Sequence, residues 1–183
     1  AAIVSSTAVL ADDTIAAPDV APEQSLPATV VSHDLAGDTT VTVDSTDRIL
    51  AMDLSGSIAA TVFGLGFGDR VVGRDISTTF PGAQDLPLVT SSGHTINSEA
   101  VLALRPTVII TDGTIGPIDV VLQLRDAGIA VVFVDTDPTI AGVGELARQV
   151  SAALGAPAAG EELATSLVSG IEAKVAEIAG IVP

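Results

Sequence analysis

The 183-residue chain has no cysteine, no tryptophan and no tyrosine, and only four phenylalanines. Without cysteine there is no disulfide, no thiolate-bound zinc, no iron–sulfur cluster and no thiol nucleophile. Without tyrosine and tryptophan, most base-stacking and aromatic-cage surfaces are absent. Basic residues are also scarce: seven Lys and Arg stand against 23 Asp and Glu, for a net charge of −16. That balance excludes a nucleic-acid partner, because nothing basic is available to displace counterions from a phosphate backbone. The apolar runs are short and broken by Asp, Gly or Pro, so none spans a membrane, and no basic-plus-apolar signal peptide opens the chain. What is present is apolar: 48% of the residues are hydrophobic, enough for one sizeable folded domain.

The charge is unevenly placed. Asp12, Asp13, Asp19, Glu23, Asp34, Asp38, Asp44 and Asp47 precede the first basic residue, Arg48. Residues 1–47 therefore read as an acidic, flexible N-terminal tail or tether. The competing reading is an N-terminal strand and coil packed on the domain, with the Thr/Val alternation at Thr39–Val43 as a short edge strand.

From Arg48 onward strand and helix signals alternate. Short apolar runs at Ile49–Met52, Arg70–Arg74, Val108–Thr111 and Ala130–Val134 read as strands. Ser57–Leu65, Ser98–Leu104 (capped by Asn97 or Ser98 and stopped by Pro106), Pro117–Ala127 (stopped by Gly128), Pro138–Leu154 (capped by Asp137, stopped by Gly155) and Ala158–Ala179 (opened by Pro157) read as helices. Strands that are continuously apolar are buried on both faces, as in a parallel sheet covered by helices. The expected fold is α/β, a doubly wound parallel sheet over residues 48–156, followed by a long helix in 157–183. Ligands of such sheets sit beyond the carboxyl ends of the strands. That points to the loops Asp53–Ser57, Asp75–Gly93, Asp112–Gly116 and Asp135–Asp137.

Few residues there carry chemistry. Gly64, Gly66 and Gly68 follow a helix and have the wrong spacing for a dinucleotide fingerprint, so they read as a helix stop. The strand-end aspartates Asp75, Asp112, Asp135 and Asp137 suit either a cation or ordinary turns and caps. Only two histidines occur. His33 lies in the acidic segment, whereas His94 lies in a polar loop on the ligand side of the sheet. A single imidazole suffices as an axial haem ligand but not for a structural zinc site; an exposed loop residue is the plainer reading.

The stretch from Arg48 resembles the N-terminal lobe of the substrate-binding proteins of iron-complex ABC importers (class III periplasmic binding proteins). The resemblance is carried by Ile49–Gly66, by Ser98–Pro106, by Leu124–Ile129 and by the Glu161–Ala179 helix, which is similar to the rigid helix joining two lobes. Within that family, Val72–Pro81, Leu86-Pro87, Gly93-His94, Ser98-Glu99 and Thr114–Pro117 resemble the haem-transport lipoproteins of the HmuT/ShuT type. The resemblance implies haem b as transported ligand, His94 as axial ligand of its iron, and Arg74 meeting a propionate or else pairing with Asp75. It implies that Ser57, Thr95 and Thr114 present backbone N–H groups to propionates, or act as caps alone, and that Glu99 docks onto the permease of an ABC importer. It further implies an extracytoplasmic, cell-envelope location, no catalysis, and a second lobe beyond Pro183, without which the cleft face is exposed and open to self-association. Ferric siderophores or cobalamin are the alternative ligands on the same fold. A small metal-dependent α/β enzyme using Asp112 and Asp135 is the remaining alternative.

Overall fold

In the computed structural model, residues 14–91 and 93–180 are described. Four parallel strands form the central sheet: β3 (Ile49–Met52), β4 (Val71–Gly73), β5 (Val108–Thr111) and β6 (Ala130–Phe133), in the spatial order β4-β3-β5-β6. Before them comes an antiparallel hairpin of β1 (Ala28–Asp34) and β2 (Gly37–Val43). The helices are α1 (Ser57–Gly64), α2 (Ser98–Leu104), α3 (Ile118–Asp126), α4 (Ile140–Ala153) and α5 (Pro157–Ala179). The doubly wound α/β expectation holds.

The apolar strands divide with period two between two cores. Ile49, Ala51, Val108, Ile110 and Val132 face a cluster with Ile58 and Val62 of α1 and Leu146 and Val150 of α4. Leu50, Met52, Ile109, Val131 and Phe133 face a second cluster with Val101 of α2 and Val121 and Leu124 of α3. Both faces are covered, which is why these strands are apolar at every position.

The acidic segment departs from the flexible-tail reading. Residues 1–13 lie outside the described residues, but 28–43 form a hairpin packed along β6. Ser32, fully buried, accepts a hydrogen bond from the Phe133 N–H through its Oγ (2.8 Å). Asp34 receives both terminal nitrogens of Arg125 (2.6 and 3.0 Å). Upstream, Gln24 donates to the Leu154 carbonyl (2.7 Å) and to Thr46 Oγ1 (2.6 Å), and Arg70 donates to Gln24 and Thr46 (2.9 Å each). The physical reason is that β6 is the last strand of the sheet, and an uncovered edge is a liability that a hairpin removes. His33 is half-buried there, with Nδ1 at 3.0 Å from Asp38 and 3.7 Å from Asp135.

Helix boundaries shift where a better cap lies nearby. Pro117 precedes α3 as its N-cap rather than opening it. α4 starts at Ile140, not Pro138, because Thr139 Oγ1 accepts from the Gly142 N–H (3.0 Å). The glycines at 64–68 do end α1 and lead through a 3₁₀ turn (Gly68–Arg70) into β4. α5 packs its first half against α4, while most of its residues beyond Ser169 are exposed.

Candidate functional site

The chain runs from β3 out to β4, then crosses back over β3 to β5. The strand order therefore reverses between β3 and β5, and the crevice at their carboxyl ends is where a ligand is expected. The loops there are joined to one another. Leu54 N–H, after β3, donates to Thr114 Oγ1 after β5 (3.1 Å). Ile96 N–H donates to the Gly116 carbonyl (2.8 Å), tying the loop before α2 to the same place. Thr136 Oγ1, after β6, reaches Asp112 Oδ2 (3.4 Å).

An open groove of about 760 Å³ starts at these loops and runs between α1, α4 and α5. Ala60, Val143, Leu146, Leu163 and Leu167 make it apolar; Ser57, Asp112, Thr114 and Asp137 stand on its loop-side rim. A smaller cleft of about 400 Å³ adjoins it, between Ser55–Ser57 and the Ser77–Pro81 loop.

Asp53, Asp75 and Asp112 are occupied in holding the loops. Asp53, fully buried, accepts from Ser57 N–H and Oγ (2.9 Å each), from Ile58 N–H (3.2 Å) and from Ser55 Oγ, so it caps α1 from outside the helix. Sequence reasoning missed this role; a polar residue four before a helix start was its only signal. Asp75 accepts from the N–H groups of Asp53 (3.0 Å), Ser77 (2.7 Å) and Thr78 (2.9 Å). Burial pushes its carboxyl above the usual value in spite of those donors. Asp112 accepts from Thr114 N–H (3.0 Å). Asp135 and Asp137 are exposed. Among the described residues no group of three or more His, Asp and Glu side chains is arranged to hold a metal ion.

The candidate binding residues fall into two groups. Ser57 and Thr114 line the groove, and the N–H of each is already given to an aspartate. Thr95 is exposed and bridges the Gly116 strand end. Arg74 does not pair with the Asp75 carboxylate; its guanidinium donates to the carbonyls of Gln84 (3.1 Å), Asp75 (3.2 Å) and Thr78 (3.4 Å), fastening the loop after β4. Neither Arg74 nor His94 lines the groove. Glu99 is exposed in the first turn of α2.

His94 stands apart. It follows Gly93 (φ 77°) and itself adopts φ 60°, a left-handed conformation that costs a non-glycine residue about 1–2 kcal/mol. Its Nδ1 is buried and, among the described residues, has no hydrogen-bond partner. A strained backbone and an unpaired ring nitrogen on one residue, in a loop at the carboxyl edge of the sheet, mark a group shaped for something other than stability.

Residues 53–182 match the family model described as periplasmic binding protein. The chain belongs to that family. Its members bind and deliver ligands for transport rather than transform them. Like the HmuT structure, this member is a class III α/β lobe. It is 36% identical to the heme-binding protein HmuT, with a TM-score of 0.88, covering 96% of this chain and 56% of that one. The periplasmic heme-binding protein RhuT of Roseiflexus sp. RS-1 is 33% identical with a TM-score of 0.62, over 70% of this chain and 49% of that one. A curated relative, the uncharacterized ABC transporter substrate-binding lipoprotein YvrC of Bacillus subtilis (strain 168), is 27% identical over 78% of this chain and 45% of its own length. The chain thus spans about half the length of the relatives it matches.

Proposed function

We propose that the chain is the haem-binding lobe of an extracytoplasmic substrate-binding protein that delivers haem, as haem b, to an ABC importer. The observation that carries this reading is His94, strained in its backbone and unpaired at Nδ1 on the ligand side of the sheet. Neutral imidazole is a sound axial ligand for haem iron, and no other histidine or any cysteine or tyrosine competes for that role on the ligand-side loops. The likeness to two heme-binding proteins supports the same ligand. The apolar groove beside the loops offers the surface a porphyrin edge needs.

The test is a titration with hemin followed at the Soret band. The chain is expected to shift the band, and His94→Ala to lose the shift; an unchanged shift in that variant would remove His94 as the ligand. Ferric siderophores and cobalamin run alongside hemin separate the ligand classes of this fold.

Glu99 is the proposed docking residue toward the permease. It is exposed, and its carboxylate also favours the start of α2. Glu99→Ala is expected to leave hemin binding intact and to lower haem uptake in cells carrying the whole transporter; undiminished uptake refutes docking. The lobe is also expected to self-associate through its cleft face, at the carboxyl ends of the strands, which light scattering reads directly.

A further inference from the structure

The loops after β3 and β4 are built alike. Each leads through a fully buried aspartate to an exposed aliphatic residue and then a serine: Asp53-Leu54-Ser55 and Asp75-Ile76-Ser77. The aspartate anchors its turn from inside. Asp53 accepts from the N–H groups of Ser57 and Ile58, and Asp75 from those of Ser77 and Thr78. The aliphatic residue that follows is left outside: Leu54 is 48% exposed and Ile76 41%. The two turns are also fastened to each other. Asp53 N–H donates to Asp75 Oδ2 (3.0 Å), and Gly56 lies so close to the Ser77 carbonyl that a Cβ would meet it at 3.0 Å. Since β3 and β4 are neighbours, Leu54 and Ile76 stand on adjacent turns at the carboxyl edge of the sheet.

Both residues are tied to the loop that carries His94. Ile76 N–H donates to Oγ1 of the buried Thr90 (3.0 Å), and Thr90 pairs with Ile96 across the base of the His94 loop. Leu54 N–H donates to Thr114 Oγ1 (3.1 Å), in the same loop whose Gly116 carbonyl accepts from Ile96 N–H (2.8 Å). A single exposed aliphatic side chain is ordinary. Two at equivalent positions of interlocked turns, each with its N–H pinned, make a fixed apolar step beside His94.

From this we infer, resting on the haem reading above, that Leu54 and Ile76 are the platform for the flat face of a tetrapyrrole, and that the lobe takes the macrocycle itself, with or without iron. An axial bond stands perpendicular to the ring plane, so a ring ligated by His94 lies face down over the loops around that residue. Those are the loops that carry Leu54 and Ile76. Aliphatic carbons meet a ring face through dispersion and the loss of water, and neither needs the metal. The iron adds its bond to His94 on top of that contact. A ferric siderophore, whose metal is wrapped in polar oxygen donors, offers no such face.

The experiment titrates the whole chain with hemin, followed at the Soret band, and with metal-free protoporphyrin IX, followed by its fluorescence. Protoporphyrin IX is expected to bind the parent chain and His94→Ala alike. Leu54→Ser and Ile76→Ser are each expected to weaken both porphyrins about three- to tenfold, the effect of part-burying one aliphatic side chain, and to leave the Soret position of bound hemin unchanged. Ile76 lines neither the groove nor the smaller cleft, so its variant separates the platform from adsorption in the groove. Leu54→Met and Ile76→Val keep the apolar surface and are expected to bind as the parent does; equal weakening in these two would mean that turn geometry rather than apolar contact is being read, and counts against the inference. If hemin shifts the band but protoporphyrin IX does not bind, or if either serine variant binds both porphyrins as tightly as the parent, the inference falls and the haem reading stands. If protoporphyrin IX binds through Leu54 and Ile76 while hemin gives no His94-dependent shift, the platform stands and the iron-ligand reading falls. Binding of neither porphyrin removes both.

Discussion

Asp34→Ala tests whether the N-terminal hairpin is part of the folded lobe. The Asp34 side chain is 9% exposed and that of Arg125 27%, so water screens this pair far less than a surface bridge. Removing the carboxylate breaks two hydrogen bonds from Arg125 (2.6 and 3.0 Å) and those from Ser32 Oγ (2.7 Å) and Thr39 Oγ1 (3.3 Å), and leaves a guanidinium whose Nε is, among the described residues, already buried and unpaired. The bond to the Val131 carbonyl (3.3 Å) and the position over the Phe133 ring remain and soften the loss. Hydrogen bonds to charged groups contribute about 1.5–3 kcal/mol; a net cost of about 2 kcal/mol lowers Tm by about 4–8 °C in a chain of this size. The effect has a defined pH dependence. The hydrogen bond from Arg125 holds the Asp34 carboxyl below its ordinary value, so the folded pKa is the lower one. The contribution is therefore present above the unfolded value of 3.8 and lost as pH falls through the folded one. Thermal unfolding of both proteins near pH 7 should show the full gap, which should close as pH falls below 3.8 through the lowered folded value. Hydrogen exchange should show protected amides in Ala28–Asp34 of the parent chain. A Tm difference under about 1 °C near neutrality, or hairpin amides exchanging at unfolded rates, would mean that the hairpin is not held as described.

Two further predictions bear on the scaffold. Burial raises the Asp75 carboxyl, so this group acts opposite to Asp34: its contribution to stability grows as pH falls through the folded pKa and is complete below the unfolded value of 3.8. Denaturant unfolding across that range should show this component in the parent chain and lack it in Asp75→Asn; identical pH profiles would contradict the burial argument. Gly160 lets α5 cross close to α4, since a Cβ there would fall on the Ser151 side chain and within 3.2 Å of the Ala147 carbonyl. Gly160→Ala is expected to cost about 1–3 kcal/mol by overpacking, with partial recovery in the double variant with Ser151→Gly. An undiminished denaturation midpoint would show that the helices part without strain.

Much of the lobe was legible in the order of the residues. The runs Ile49–Met52, Val108–Ile110 and Ala130–Phe133 are apolar at every position because both faces are covered, whereas a strand with one wet face alternates. Asn97 at the start of α2 and the glycine stop after α1 are local signals read over a few residues, and they hold. Composition leaves His94 as the one imidazole on the ligand-side loops, and the iron-ligand role given to it came from the family resemblance. Of the hairpin, the Thr39–Val43 strand was legible in its alternation, as the competing reading had it, but its docking onto β6 was not. Its residues are mostly exposed and acidic, and what keeps them in place is a set of partners far along the chain: Arg125 for Asp34, the Phe133 N–H for Ser32 and the Leu154 carbonyl for Gln24. Nor could the order of residues show that the N–H groups of Ser57 and Thr114 are given to Asp53 and Asp112; position in a loop says where a donor lies, and only the folded chain says whether it is already taken.

The sequence by itself determined the class of fold, the alternation of strand and helix and how few imidazoles the chain carries, because these follow from local periodicity, capping and composition. The tertiary structure decided which donors remain free, which aspartates are supports and that the acidic N-terminal segment closes the sheet edge. Those are questions of pairing between residues distant in the chain, and a pattern read along one strand of sequence holds no record of distance across the fold.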